Sequence, residues 1–495
     1  MKRADSLERT GALFAGLCCL LVLLAYLQNV NSGPFEDDFG WITMALAAEK
    51  QGSLSIWCDA LGCFFFRPFN VGLVLASMQA GSWAVAHGTA LLLHVLLSIT
   101  AAWMAGRLIS ASRSRWFMFA VGCAFFVHQG APTTVLQLDT LSQSTSDFFS
   151  VAAVVAAFVY SSGRARWLLL AAVATLLAMA GKEGGISTPL AVAVTVLLFA
   201  SSETRLRRTV YAVGTQALAA LAYALWRTNV RNLIAPPEEV LARYDFGAGL
   251  ETLRHFGQFV FVEIVPWNSA SLLWNQRLHE WVLGTAVAFL VIIAACSGWR
   301  RLFSSQPGSK RTLVWLLSVF VLWCTPFVFL SKVSEQEAYR LGWVTALVVT
   351  TGCLSRLKTG SRRAAMVVLF IWCAWIGINA TGSVQKSALL RHNSLIVAEM
   401  LQEVKEALGD VSETSELWVS VAPSRPPVER YSVLYVPEPA LRWRSLLGLR
   451  WHLKKPDLAI SFFLPDESMP GPPPGAENLK RVHVDIVEGR ARLLP

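Results

Sequence analysis

Residues 13–42 read LFAGLCCLLVLLAYLQNVNSGPFEDDFGWI, so a long apolar run is followed closely by three adjacent carboxylates, Glu36, Asp37 and Asp38. A run of about 20 apolar residues is long enough to cross a bilayer as a helix. A charge inside hydrocarbon is costly, whereas a charge at the end of a span reaches water or lipid headgroups. The stretch therefore predicts a first membrane span that ends in a strongly acidic loop.

The whole chain has the composition of a membrane protein. Of its 495 residues, 54% are hydrophobic and only 15% are charged, and the mean hydropathy is +0.47. Ordinary soluble proteins of this size are less apolar. The apolar segments predict about eleven spans, at residues 11–28, 85–106, 116–128, 142–160, 167–181, 185–200, 209–226, 281–298, 312–330, 341–354 and 364–380.

The basic residues predict the orientation of these spans. Arginine and lysine recur in every second loop, which is typical of loops that remain in the cytoplasm. The N-terminus is then cytoplasmic, and the long loops 31–84 and 227–280, together with all residues after 380, face outward. The net charge of +10 is spread over many short loops, which does not favour a nucleic-acid partner.

The two long outward loops each contain a segment with a helical pattern. WITMALAAEKQG, residues 41–52, predicts a helix at the membrane interface. LETLRHFGQFVFVEI, residues 250–264, predicts a helix that either rests on the membrane or packs among the spans. Its apolar face consists of Leu250, Leu253, Phe256, Val260 and Ile264.

Beyond residue 380 the composition becomes that of a small soluble domain. SLIVAEMLQEVKEALG, residues 394–409, predicts a helix that stops at Gly409. LWVSVAP, SVLYVP, LAISFFLP and RVHVDIVEG predict four short strands. We therefore predict an α-helical polytopic membrane domain over residues 1–380 and a small extracytoplasmic α/β domain over residues 381–495.

If the spans form one bundle, the few charges near their outward ends share one mouth. These charges are Asp37, Asp38, Arg67, Asp139, Asp147, Lys182, Glu183, Glu335, Glu337 and Arg340. A transporter would instead tend to place its ionisable groups near the middle of the membrane. The distribution indicates a site at the membrane surface.

Simpler structural explanations compete with a functional one. Asp37 and Asp38 are suited to capping a helix. Lys182 and Glu183 are suited to a corner that reaches the membrane surface, and the arginines to headgroup contacts. His94 lies two helical turns from His87, and a buried hydrogen-bonding histidine is favoured there over a metal ligand. Cys58 and Cys63 are compatible with a disulfide or with two thiols.

The order of several motifs resembles the membrane region of GT-C glycosyltransferases. The motifs are FEDDFGWI, FFFRPFNVGL, HGTALLLH, HQGAPTTVLQLDTLSQSTSDFF, LLAMAGKEGGISTPL, FVEIVPW and EQEAYRLGW, within roughly the first 380 residues. The chain is most similar to protein O-mannosyltransferase-like proteins, including the transmembrane tetratricopeptide-repeat mannosyltransferases. It departs from them at Ala90, where the family often has asparagine, in the reduced EQEAYR motif, and in lacking the repeats.

The resemblance implies a role for each of the clustered residues. An acidic residue of the first outward loop is the catalytic carboxylate, which is Asp37 here with Asp38 as second choice. Cations hold a polyprenyl-phosphate donor, and the candidates are Arg67, Lys182 and Arg340. Supporting positions are Glu183, Asp139, Asp147, His94 and Glu337. Glu36 is expected to cap the helix or contact headgroups, and the acceptor cannot be carried over.

The required chemistry is consistent with these residue types. Transfer of a sugar from a lipid phosphate needs a carboxylate to deprotonate the acceptor hydroxyl and cations to neutralise the departing phosphate. Two adjacent carboxylates either repel, which raises the pKa of one, or share a divalent metal cation between Asp37 and Asp38. The nucleotide-binding motifs GxGxxG and the Walker loop do not open a helix anywhere in the chain.

The sequence thus predicts an inverting, mannosyltransferase-like membrane glycosyltransferase of the cell envelope, acting on the outer face of a bacterial inner membrane. Its partners would be a polyprenyl-phosphate sugar donor, the lipid bilayer and a protein, glycan or lipid acceptor. The alternatives are a transporter or flippase of lipid-linked sugars, and a non-catalytic envelope-assembly protein.

Overall fold

The computed structural model describes most of the chain. The described residues are 2–109, 114–236, 238, 249–265, 278–306, 308–329, 335–357, 361–422, 438–455, 457–463 and 478–494. The predicted strand SVLYVP, residues 432–437, lies outside them, as does the end of the FVEIVPW motif.

The described membrane region consists mainly of helices. Its helices are α1 (Lys2–Asn29), α2 (Asp38–Gln51), α3 (Pro68–Gln79), α4 (Ala84–Leu108), α5 (Arg115–Phe126), α6 (Ala131–Leu136), α7 (Leu141–Ser161), α8 (Arg166–Gly181), α9 (Thr188–Phe199), α10 (Arg205–Thr228), α11 (Leu250–Ile264), α12 (Leu278–Ser305), α13 (Ser309–Val328), α14 (Glu335–Leu357) and α15 (Arg362–Leu408), with 3-10 turns at Ser53–Trp57, Leu138–Thr140 and Glu183–Ser187. Each of the eleven apolar segments corresponds to one of these helices.

Seven helices of the described residues are long and apolar enough to cross a membrane, judged by length and composition. They lie in α1, α4, α7, α10, α12, α13 and α15. Their outer faces expose many leucine, isoleucine and valine side chains, as a lipid-facing surface requires. The chain is therefore an integral membrane protein. The total of about eleven spans stays a prediction.

Glycines bring α7 and α8 together beside the predicted site. A methyl group on Gly181 would lie 2.8 Å from the backbone nitrogen of Ser146, and one on Gly185 would lie 2.4 Å from the backbone of Ala178. Helices approach this closely only where small residues face each other. The sequence GKEGG, residues 181–185, therefore allows a tight corner between α8 and the 3-10 turn Glu183–Ser187. This corner places Lys182 and Glu183.

Helix α15 joins the membrane bundle to the C-terminal region without a break. It has 47 residues and a length of about 70 Å, whereas the hydrocarbon core of a bilayer is about 30 Å thick. The predicted domain boundary at residue 380 lies inside this helix. The segment SLIVAEMLQEVKEALG forms its last turns, and the helix ends as predicted at Gly409, which has a φ of 62°.

The C-terminal region contains a four-stranded sheet. Its strands are β1 (Glu416–Ala422), β2 (Ala459–Phe463), β3 (Leu479–Asp485) and β4 (Arg490–Leu493), in the order β2-β1-β3-β4. Strand β1 is parallel to β2 and β3, and β4 is antiparallel to β3. Two helices, α16 (Glu438–Ser445) and α17 (Leu449–His452), precede β2, and a 3-10 turn, Leu446–Gly448, joins them. The prediction of a helical membrane fold with a small C-terminal α/β unit is confirmed.

The helices predicted in the long loops are present, but one of them packs differently from its pattern. In α11 the leucines of the predicted apolar face are exposed, Leu250 to 85% and Leu253 to 68%. The buried face instead carries His255, Phe259, Val262 and Glu263. Polar partners inside the bundle explain this difference, because they compensate the cost of burying a charged side chain.

Cys58 and Cys63 are both unpaired.

Candidate functional site

The acidic loop, which we define as residues 33–38, ends in Asp37 and Asp38. These two carboxylates have different environments. Asp37 immediately precedes α2 and is exposed, whereas Asp38 begins α2 and is 1% exposed. One carboxylate oxygen of Asp38 accepts the backbone N–H of Asp139 at 2.7 Å, and the other accepts that of Phe35 at 3.1 Å. Asp38 therefore ties the acidic loop to the 3-10 turn Leu138–Thr140 that precedes α7, and Asp37 is the carboxylate that faces solvent.

The environment of Asp38 also changes its acidity. Burial raises the pKa of Asp38 well above its usual value, although the two backbone N–H groups partly oppose the shift. The neighbouring Asp139 and Asp37 charges raise it further. Burial is thus the main cause of the raised pKa of Asp38, and repulsion by the Asp37 carboxylate is a smaller contribution.

A chain of contacts links Asp38, through its partner Asp139, to the corner between α8 and α9. The carboxylate of Asp139 accepts the indole N–H of Trp41 at 2.7 Å. The Arg67 guanidinium lies 5.6 Å from the ring centroid of the same tryptophan and donates to Glu183 at 2.9 Å. The Arg67 side chain is 7% exposed. The structure thus brings Asp38, Asp139, Arg67 and Glu183 together, as their positions at the ends of the apolar segments predict.

Lys182 belongs electrostatically to the same cluster. Its side chain is buried, and burial together with the Arg67 charge lowers the pKa of Lys182, while Glu337, Glu183 and Asp139 partly offset the shift. Two cations in one partly buried place repel each other, so a bound anion would relieve the repulsion. The corner is therefore suited to a phosphate group.

Arg340 lies deeper and is surrounded by protein. Its side chain is fully buried, and it donates to the carbonyl of Trp323 at 3.0 Å and to the hydroxyl of Ser187 at 3.3 Å. Its Nε lies 3.8 Å from the carboxylate of Asp147, which is also fully buried. The other oxygen of Asp147 accepts the Gln143 amide at 2.6 Å. These contacts favour a structural ion pair between α7 and α14.

His94 connects three helices through both ring nitrogens. Its Nε2 lies 3.0 Å from the carbonyl oxygen of Phe126, which requires the proton to be on Nε2. Its Nδ1 then accepts the hydroxyl of Tyr339 at 2.7 Å. Tyr339 precedes Arg340, so His94 supports the start of α14. Both nitrogens are engaged, which favours the hydrogen-bonding role over metal binding.

The described contacts of Asp37 and Asp38 give no support to a shared divalent cation. Both oxygens of Asp38 already accept backbone N–H groups, at Phe35 and Asp139. Consecutive residues at the start of a helix also point in different directions, which separates Asp37 from Asp38. Within the described part of the chain, no group of three or more His, Cys, Asp and Glu side chains is arranged to hold a metal ion.

Two interactions at the same end of the bundle were not anticipated. Glu36 was expected to cap a helix or contact headgroups, but it is 4% exposed and its carboxylate pairs with Arg444 of α16 at 3.1 Å. Glu263 of α11 is buried, with one carboxylate oxygen 3.4 Å from His128 Nε2 and 3.4 Å from the Thr345 hydroxyl. Residues 408 positions apart form the first pair, and no local pattern reveals such a contact.

No protein-family model matches the chain, and no curated protein sequence matches it. The crystal structure of ArnT from Cupriavidus metallidurans in the apo state is similar over 94% of this chain and 92% of that chain, with a TM-score of 0.50 and 13% sequence identity. The crystal structure of ArnT from the same organism bound to undecaprenyl phosphate covers 90% of this chain and 85% of that chain, with a TM-score of 0.46 and 14% identity. The chain therefore has an ArnT-like fold.

Proposed function

We propose that the protein is a membrane glycosyltransferase that takes a sugar from a polyprenyl-phosphate donor. The observation that carries the proposal is the linked cluster at one end of the bundle, where Asp38, the residue next to the exposed Asp37, is connected through Asp139 and Trp41 to Arg67 and its partner Glu183. A GT-C fold supports the same reaction class, although a fold alone does not establish an activity. The mannosyltransferase-like subtype stays a prediction from the sequence motifs.

In the proposed reaction, Asp37 accepts the proton of the acceptor hydroxyl. The acceptor oxygen then forms a bond to the anomeric carbon while the bond from that carbon to the phosphate oxygen breaks. The electron pair leaves with the polyprenyl phosphate, whose negative charge Lys182 and Arg67 stabilise. Direct displacement inverts the anomeric carbon. Asp38 holds the acidic loop on the 3-10 turn Leu138–Thr140, so it orients Asp37 without contacting the substrate.

The alternating basic loops support a site on the outward face of the membrane, which we take to be a bacterial inner membrane. The acidic loop contacts the C-terminal region through Glu36 and Arg444, so both lie at the same end of the bundle. A flippase of lipid-linked sugars would need polar groups along an alternating path through the membrane. The cluster described above lies instead at one end.

Sugar transfer in oriented membrane vesicles tests the proposed function. Radiolabelled polyprenyl-phosphate mannose and related polyprenyl-phosphate hexoses are supplied with a panel of membrane-impermeant protein, glycan and lipid acceptors. We expect label to reach an acceptor added on the extracytoplasmic face and not one added on the cytoplasmic face. Movement of the labelled lipid between leaflets without transfer would instead indicate a flippase. If neither transfer nor movement is seen, the non-catalytic assembly role is favoured.

Replacing Lys182 by alanine should weaken donor binding by about 10- to 100-fold. This is the effect of losing a charge-assisted contact worth about 1.5–3 kcal/mol. The measurement is the Kd of a polyprenyl phosphate for purified protein in detergent. Arg166→Ala is the matched control, because this exposed cation lies at the opposite end of α8. If folded Lys182→Ala protein has an unchanged Kd, Lys182 does not bind the donor, and the corner anchors the protein at the membrane surface.

A further inference from the structure

The C-terminal region makes direct polar contacts with the acidic loop. Arg444 Nη1 donates to the Glu36 carboxylate at 3.1 Å, and the Ser445 hydroxyl accepts the Glu36 backbone N–H at 3.0 Å. The Glu36 side chain is 3% exposed and that of Arg444 is 36% exposed. Ser445 is fully buried. The contact is therefore an interior one, formed between the end of α16 and the residue next to Asp37.

Apolar packing closes the same junction. A methyl group on Gly448 would lie 2.3 Å from the ring of Phe39, so the 3-10 turn after α16 contacts α2 as closely as a glycine permits. The ring of Trp451 packs on Phe39 with centroids 6.2 Å apart and on Trp83 with centroids 5.8 Å apart. The C-terminal region is thus packed against the first turn of the helix that Asp37 precedes.

The backbone of the acidic loop needs such support. Glu36 has a φ of 50°, in the left-handed region that residues with a side chain rarely adopt. A residue persists in this conformation only where its surroundings hold it. Here the backbone N–H and the carboxylate of Glu36 are both bound by the C-terminal region. Asp37 follows directly, so the conformation of Glu36 sets the direction in which Asp37 leaves the loop.

We propose that Glu36 is a positioning residue through which the C-terminal domain, by way of Arg444 and Ser445, holds Asp37 in its reactive orientation. The catalytic part of this proposal rests on the proposed function, whereas the conformational part does not. The C-terminal domain is then a required element of the active site rather than an appended module.

Hydrogen exchange of the acidic loop tests the conformational part. Arg444→Met removes the cation and keeps much of the apolar stem, so we expect the amides of residues 35–40 to lose protection by about tenfold. The matched control is Lys50→Met. Lys50 of α2 also forms an ion pair with the C-terminal region, with Asp457 at 2.6 Å, but both side chains are largely exposed. A surface pair of this kind contributes little, so the control should leave the exchange of the loop unchanged.

Kinetics test the catalytic part with the same proteins. Arg444→Met and Glu36→Gln should each lower kcat by about tenfold while the donor Kd stays constant, and their double variant should be no slower than either single variant. Arg444→Lys, which retains a cation, should recover part of kcat and of the protection. Equal exchange in Arg444→Met and wild-type protein would overturn the proposal. A loop that loses protection in a protein without transferase activity would refute the proposed function and leave the coupling intact.

Discussion

Replacing Asp37 by asparagine is expected to lower kcat by about 10²–10⁴-fold and to leave the donor Kd nearly unchanged. The amide keeps the shape of the side chain but cannot accept the proton of the acceptor hydroxyl. Asp37 is the exposed member of the pair, so the change should not disturb the backbone contacts that Asp38 makes. The measurement is single-turnover transfer of label at saturating donor.

Two further variants make this result specific. Glu49→Gln removes an exposed carboxylate of α2 that lies more than three helical turns after Asp37, and it should leave kcat unchanged. Asp38→Asn replaces the acceptor of one backbone N–H by an amide donor, so it should disorder the acidic loop as well as slow transfer. Near-normal transfer by both Asp37→Asn and Asp38→Asn would show that the pair is structural and that the base lies elsewhere.

Replacing Asp147 by asparagine should lower the free energy of unfolding by about 3–5 kcal/mol. Asp147 and Arg340 are both fully buried, and removal of the carboxylate leaves a buried cation without its counter-charge. Asparagine can still accept the Gln143 amide, so the loss reports chiefly on the charge. Unfolding in mixed detergent micelles measures it, with the exposed Asp457→Asn as a control that should cost at most about 1 kcal/mol.

The double variant Asp147→Asn with Arg340→Met separates the two roles considered for Arg340. Removing both charges should recover most of the lost stability, because a buried ion pair and an apolar replacement are often equally stable. We expect the recovered protein to bind donor as wild type does, since the described contacts of Arg340 are to Asp147, Ser150, Ser187 and Trp323. If this stable double variant loses donor affinity, Arg340 binds the donor phosphate after all.

Much of the candidate site could be predicted because its members lie at the ends of apolar segments. The hydropathy pattern locates those ends, and the alternation of basic loops assigns them to one side. Asp38, Asp139, Arg67, Glu183 and Lys182 are accordingly found in one cluster. The same reasoning could not separate Asp37 from Asp38, because exposure differs between neighbouring residues only once a second element covers one of them.

The sequence by itself determined the properties that depend on local composition. These are the membrane-embedded helical fold, the small C-terminal sheet, and the end of α15 at Gly409. Each follows from the transfer of apolar side chains out of water or from the backbone preference of a single residue.

Only the tertiary structure decided which polar groups meet. Three arrangements join residues far apart in the chain. They are the burial of the Glu263 face of α11, the pairing of Arg340 with Asp147, and the contact of Glu36 with Arg444. A buried charge is stable only next to a partner that compensates its lost hydration. That partner is supplied by packing between distant segments, and so it cannot be read from the residues around the charge.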